Sequence, residues 1–176
     1  MGYDMYRLGQ DGDKLPPEWP TFEDDGKGTY PDELIGEPDD RDELADQNYF
    51  RLNVGGMARV RVIALIGADL ITVEQALEDL AISHMGKQDM DGMLKHIRSL
   101  FELGVSHSEK AEWLSPWCVN GQIAAPLTCQ EFALRLEQGL NKLDKDPVGL
   151  FDEESLDYYR EFVRYLRESP FGMLVG

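Results

Sequence analysis

Cysteine and histidine are scarce in this chain of 176 residues, and basic side chains are outnumbered two to one by acids. The two cysteines, Cys118 and Cys129, stand eleven residues apart. That spacing supplies neither a disulfide framework nor a zinc set, and it reads as two small, partly buried apolar side chains. His84, His96 and His107 are the only histidines, with no H-E-x-x-H or H-x-H among them. No convergent metal set is therefore expected. The chain has no Gly-Lys-Ser/Thr phosphate loop, no complete G-x-G-x-x-G and no G-x-S-x-G elbow. These absences remove the most recognisable nucleotide-binding and serine-hydrolase readings. Asp11-Gly12-Asp13 and Asp24-Asp25-Gly26 do not complete a calcium-loop pattern. No apolar run approaches the length of a membrane span. The opening residues lack the basic and apolar sections of a secretion signal, so a reducing cytoplasm is expected.

Negative charge is what the chain has in excess. It carries 34 Asp and Glu against 17 Lys and Arg, a formal net of -17. The surplus is densest at the front, where residues 1–50 hold 15 acids and 4 bases. Such a field repels nucleic-acid phosphate and anionic membranes and attracts cationic proteins. Direct nucleic-acid or membrane binding is therefore not expected. A basic protein partner, or the nucleic-acid-binding face of another protein, is the natural complement.

Hydrophobic periodicity lays out the elements. Residues 2–8 alternate as a short strand, with Tyr3, Met5 and Arg7 on one side. Residues 9–47 combine five prolines with the acidic clusters Glu23-Asp24-Asp25 and Asp39-Asp40-Arg41-Asp42-Glu43, and they read as a long loop. Tyr49–Asn53 is rich in strand formers, and Gly55-Gly56 would break it at a tight turn. Met57, Val60, Ile63, Ala64 and Gly67 suit a helix over 57–68, although Arg59–Val62 also fits a strand. Thr72–Gln75 has the form of a capping box opening a helix to about residue 83. Another helix is expected over 89–103, and one helical turn before Ser115-Pro116. Val119–Ile123 reads as a turn within a short strand. Thr128–Glu131 has capping-box form ahead of a helix to Leu143, with Phe132, Leu136, Leu140 and Leu143 inward. Asp152 would cap a last helix with the apolar stripe Leu156, Tyr159, Phe162, Val163 and Leu166. Pro170 stops that helix and Phe171–Val175 reads as a closing strand.

Strands at both ends and in the middle, with helices between, predict one α+β domain over 1–176: a small, mostly antiparallel sheet packed against several helices, with a long acidic N-terminal loop. The order Met1-Gly2-Tyr3-Asp4-Met5-Tyr6, then Tyr49-Phe50-Arg51-Leu52-Asn53 before Gly56-Met57 and Arg59, then Thr128–Glu131 and finally Phe171–Val175 resembles a group of small uncharacterised proteins of actinobacteria and their phages. The resemblance implies a cytoplasmic or phage-encoded protein and carries no catalytic residue across.

Three functions fit this reading. The first is a non-enzymatic acidic interaction protein, of inhibitor, immunity or phage anti-host type, that binds a basic partner through Glu23, Asp24, Asp25, Asp39, Asp40, Asp42 and Glu43. Its bland counterpart is that the acids confer solubility alone. The second is a structural or assembly component that oligomerises through the aromatic helix bearing Tyr158, Tyr159, Phe162 and Tyr165. The third is an enzyme with its site at the Gly55-Gly56 turn, where backbone N–H groups with Arg51 and Arg59 could hold an anion. Cys129, at a helix start, is a further candidate as a reactive thiol. No cofactor is implied.

Overall fold

A computed structural model describes residues 2–15, 48–74, 98, 102, 106, 111–118, 121–143 and 153–176. The elements are strand β1 (Gly2–Arg7), strand β2 (Tyr49–Asn53), helix α1 (Val54–Gly67), a 3-10 helix (Glu112–Trp117), strand β3 (Gln122–Ala124), helix α2 (Pro126–Leu143), helix α3 (Glu153–Arg167) and strand β4 (Met173–Val175). The four strands form one sheet in the order β2-β1-β4-β3, and every pairing is antiparallel. The predicted α+β architecture is therefore present.

The alternation of β1 sets the two sides of the sheet. Tyr3 and Met5 are buried, while Asp4 and Tyr6 face the other way and are half-exposed. β2 follows suit, with Phe50 and Leu52 buried and Tyr49 and Arg51 opposite. The apolar side receives the helices. α1 follows β2 with no intervening loop, so Gly55 and Gly56 form the first turn of a helix and not the tight turn expected of them. From Gly56 to Gly67 every residue except Arg59 is buried. A helix enclosed on all sides needs no polar face, which is why its periodicity is blurred in the sequence.

α2 crosses α1 at a backbone-to-backbone contact. A methyl group on Gly67 would enter the carbonyl oxygen of Arg135, and one on Gly139 would enter that of Ile63. Two glycines facing each other's helix bring the axes closer than any pair with side chains would allow. α2 opens at Pro126, two residues before the expected cap. Proline at the first helical position loses no hydrogen bond and arrives with its φ already helical. Thr128 thus lies inside the first turn, and Glu131 reaches forward to Arg135 at 2.7 Å. The helix ends at Leu143 with Phe132, Leu136, Leu140 and Leu143 buried, as predicted. The 3-10 helix runs through Ser115-Pro116 instead of ending ahead of it.

Aromatic rings join the layers. Trp117 stacks on Phe132 at 4.8 Å, and Phe162 of α3 meets both Phe132 at 6.2 Å and Phe50 at 5.0 Å. Arg61 is fully buried, with its guanidinium carbon 4.9 Å from the centre of the Tyr3 ring. The closing strand is shorter than expected because Gly172 turns the chain with φ 88°, in the left-handed region.

Within the predicted 9–47 loop, residues 9–15 form a turn that folds back on the strand, with the Leu15 N–H donating to the Arg7 carbonyl at 2.9 Å. The rest of that loop, the helix expected after Thr72–Gln75 beyond Glu74, and the Asp152 cap lie outside the described residues. So does the 89–103 helix, apart from Arg98 and Glu102, which are helical and exposed. No helix among the described residues is long and apolar enough to cross a membrane.

Candidate interaction surface

The side of the sheet away from the helices carries a continuous row of side chains. Cross-strand register aligns Tyr49 with Tyr6, Tyr6 with Leu174, and Leu174 with Ile123. The row therefore crosses all four strands. Tyr6 and Tyr49 lie with ring centres 5.2 Å apart, and the Lys14 ammonium sits 3.3 Å from the centre of the Tyr6 ring. In the next row the Tyr49 hydroxyl donates to Asp4 Oδ1 at 2.5 Å, and Arg51 Nε lies 3.6 Å from the same oxygen. Burial, and then the hydrogen bond to the Asp4 carboxylate, holds the Tyr49 phenol well above its ordinary range. The outer end of the row is Ile123, 62% exposed.

The two edges of the sheet differ. Asp4 exchanges both backbone hydrogen bonds with Gly176 at 2.7 Å, so its peptide groups face β4. Arg51, opposite Asp4 on β2, therefore turns its own N–H and C=O outward. The Tyr158 hydroxyl of α3 donates to that Arg51 carbonyl. At the other edge, Leu8 and Gly172 extend the β1–β4 pairing through a hydrogen bond of 3.1 Å. Alternation then points Met173 and Val175 at β3, and Gln122 and Ala124 back at them. The Ile123 N–H and C=O are left facing outward. Among the described residues no strand pairs with that side of β3.

An open groove of about 780 Å³ lies between the 3-10 helix and the start of α2, with Arg167 of α3 at its margin. Trp113, Leu127 and Leu134 form its apolar lining, and Leu127 is 84% exposed. Its charged groups are largely engaged: Glu131 with Arg135, and Arg167 in a two-pronged pair with Glu137 at 3.0 and 2.5 Å.

The predicted site residues separate. Arg51 stands on the open face with Asp4, whereas Arg59 belongs to α1 on the helical side, where neighbouring Arg61 packs on Tyr3. Gly55 and Gly56 are helical, and Gly56 is buried. Backbone N–H groups of the first turn of α1 do lie at the Gly55-Gly56 junction, but Arg51 and Arg59 stand on different sides of the sheet and are not brought together there. Glu23, Asp24, Asp25, Asp39, Asp40, Asp42 and Glu43 lie outside the described residues, as do His84, His96 and His107.

Cys129 is buried, and its thiol donates to the Ala124 carbonyl at 3.6 Å. Burial pushes its pKa up to about 12, which overturns the reactive-thiol reading taken from its place near a helix start. Burial likewise raises Cys118, against a smaller opposing pull from Arg61. The aromatic helix considered for oligomerisation turns Tyr159, Phe162 and Tyr165 into the core. No group of three or more His, Cys, Asp or Glu converges to hold a metal ion among the described residues.

The exposed row and the β3 edge escaped the sequence reading. Their marks were present in the polar–apolar alternation of residues 2–8 and 49–53, but which strands are neighbours is a property of the fold. No family model, no curated protein and no solved structure matches this chain.

Proposed function

We propose that the protein is a non-enzymatic interaction protein that captures a basic protein partner through a carboxylate-rich surface. The observation that carries this reading is where the charge lies in the chain. The described residues hold fourteen acids and eleven bases, so they are nearly balanced, whereas residues 16–47 hold twelve acids and two bases. A charge surplus needed only for solubility would work spread over the whole chain. Concentration in one segment raises the local density of negative charge, which accelerates encounter with a cation. Glu23, Asp24, Asp25, Asp39, Asp40, Asp42 and Glu43 are the residues assigned to it. The resemblance to actinobacterial and phage proteins is compatible with an inhibitory or immunity role inside a bacterial cell.

The test separates placement from total charge. In one variant the seven residues become Asn or Gln. In a control variant Asp11, Asp13, Asp69, Glu74, Glu102, Asp157 and Glu161 are changed in the same way. Polylysine binding is then followed across a salt series. The first variant is expected to bind at least tenfold more weakly with a flatter salt dependence, and the control to stay near the parent protein. Equal losses in both would show that only bulk charge matters and would remove the proposal.

A further inference from the structure

We infer that the outer edge of β3, with which no strand pairs among the described residues, is a docking site for an extended, cationic segment of a partner, which adds to the sheet as a fifth strand alongside Ile123. The inference rests on the proposed preference for a basic partner and names where and how such a partner would seat. The outward Ile123 N–H and C=O form a donor–acceptor pair of the kind an incoming strand takes up. The opposite edge is already engaged at Arg51 by the Tyr158 hydroxyl, so the two ends of the sheet are not equivalent. Two exposed apolar side chains lie on β3 and shortly after it in the chain. Ile123 ends the exposed row on the open face, and Leu127, in the first turn of α2 just after β3, projects into solvent beside the groove. A fifth strand with apolar residues beside Ile123 would lengthen the Tyr49–Tyr6–Leu174–Ile123 row by one position.

Charge selects among the occupants such an edge admits. Pairing β3 with a second copy of the same chain would bring together two molecules of net charge -17. Mutual repulsion opposes that contact and favours a strand rich in Lys or Arg. β3 is only three residues long, so its hydrogen bonds alone hold a partner weakly, and the long-range field supplies the remaining attraction.

The experiment uses the full chain with three probes: a short peptide alternating lysine and valine, its glutamate–valine counterpart, and a lysine–glycine peptide of equal length. Binding is followed by fluorescence anisotropy, and the Ile123 amide by hydrogen exchange. The lysine–valine peptide is expected to bind best and to slow Ile123 exchange at least tenfold. Ile123→Pro removes the outward N–H while leaving the β3–β4 hydrogen bonds intact, because proline is tolerated where an edge N–H faces solvent. It should weaken that binding at least tenfold. Ile123→Lys, which keeps the backbone donor but opposes a cation with a cation, should weaken it as well and serves if the proline variant fails to fold.

Undiminished binding to both Ile123 variants, with binding lost on neutralising the seven acids, would overturn the edge site and leave the charge reading standing. Equal binding of the glutamate–valine peptide would overturn the cationic occupant and, with it, the reading beneath. A concentration-dependent dimer in light scattering that Ile123→Pro dissolves would assign the edge to a second copy and overturn the inference.

Discussion

Gly139→Ala tests the closest contact in the core. The added methyl group would be driven into the main-chain carbonyl of Ile63, well inside van der Waals distance. The obstacle is helix backbone, so no side-chain rotation relieves it, and α1 and α2 must move apart. Overpacking a well-filled core costs about 1–3 kcal/mol, and a backbone obstacle belongs at the upper end of that range. Alanine returns about 1 kcal/mol through its better helix propensity. The net expectation is a loss of about 2 kcal/mol. With a urea dependence of about 2 kcal/mol per molar for a domain of this size, the unfolding midpoint falls by about 1 M. Gly67→Ala meets the Arg135 carbonyl at the same crossing, so the double variant should cost less than the sum of the singles once the helices have separated. Gly12→Ala is the contrasting control, with nothing near its Cβ and only the strain of φ 84° to bear. The measurement is equilibrium urea unfolding followed by tryptophan fluorescence. A Gly139→Ala protein more stable than the parent would refute the reasoning, because propensity alone would then be acting and the helices would not be in backbone contact.

Two further outcomes follow from the same structure. Burial raises the Cys129 thiol from its ordinary 9.0 to about 12. The folded state thus holds the proton more tightly than the unfolded chain, and this contribution to stability is complete below pH 9 and is lost as pH rises toward 12. The gap between the parent and Cys129→Ala in urea midpoint should therefore shrink across that window, and a constant gap would contradict the assignment. Tyr158→Phe removes the hydroxyl that donates to the Arg51 carbonyl on the β2 edge. Because water can take its place, the loss should be no more than about 1 kcal/mol. A much larger drop would show that α3 depends on this one contact for its seating.

How much was legible beforehand differed by residue. The strands at 2–7 and 49–53 and the helix ending at Leu143 were readable because one side of each element is apolar and the other polar, and that contrast sets the period. The Gly55-Gly56 junction was misread because glycine marks turns in isolated sequence. What overrides it here is the packing of α1 against the sheet, where Gly56 is buried. The start of α2 was misplaced because Thr128 and Glu131 satisfy a capping pattern by spacing alone, while Pro126 carries the real start. Cys129 was weighed by its distance from a helix end, a local property, whereas its thiol is governed by burial, which is not local. The glycine crossing could not be foreseen either. Gly67 and Gly139 are separated by most of the chain's middle, and only the fold makes them neighbours.

The open face keeps its outward set of side chains because the covered face holds it in register. Side chains alternate with a period of two, so a slip of one residue between β1 and β4 would exchange the two faces of the pairing and carry Tyr6 inward. Several independent contacts oppose such a slip. Asp4 and Gly176 exchange both backbone hydrogen bonds, and the Leu8 N–H donates to the Gly172 carbonyl at the far end of the pairing. From the helical side the Tyr165 hydroxyl donates to the Met5 carbonyl at 3.0 Å, and the Tyr165 ring lies 4.5 Å from the Arg7 guanidinium carbon. Tyr165 is itself anchored against Phe50 at 5.4 Å. Shifting β1 would thus break hydrogen bonds at both ends and uncouple α3 from the sheet at once. The row Tyr49–Tyr6–Leu174–Ile123 is pre-organised by groups that no partner on the open face would touch. Substitutions on the open face should therefore have little effect on stability, whereas those at Tyr165 and Phe50 should cost much of it.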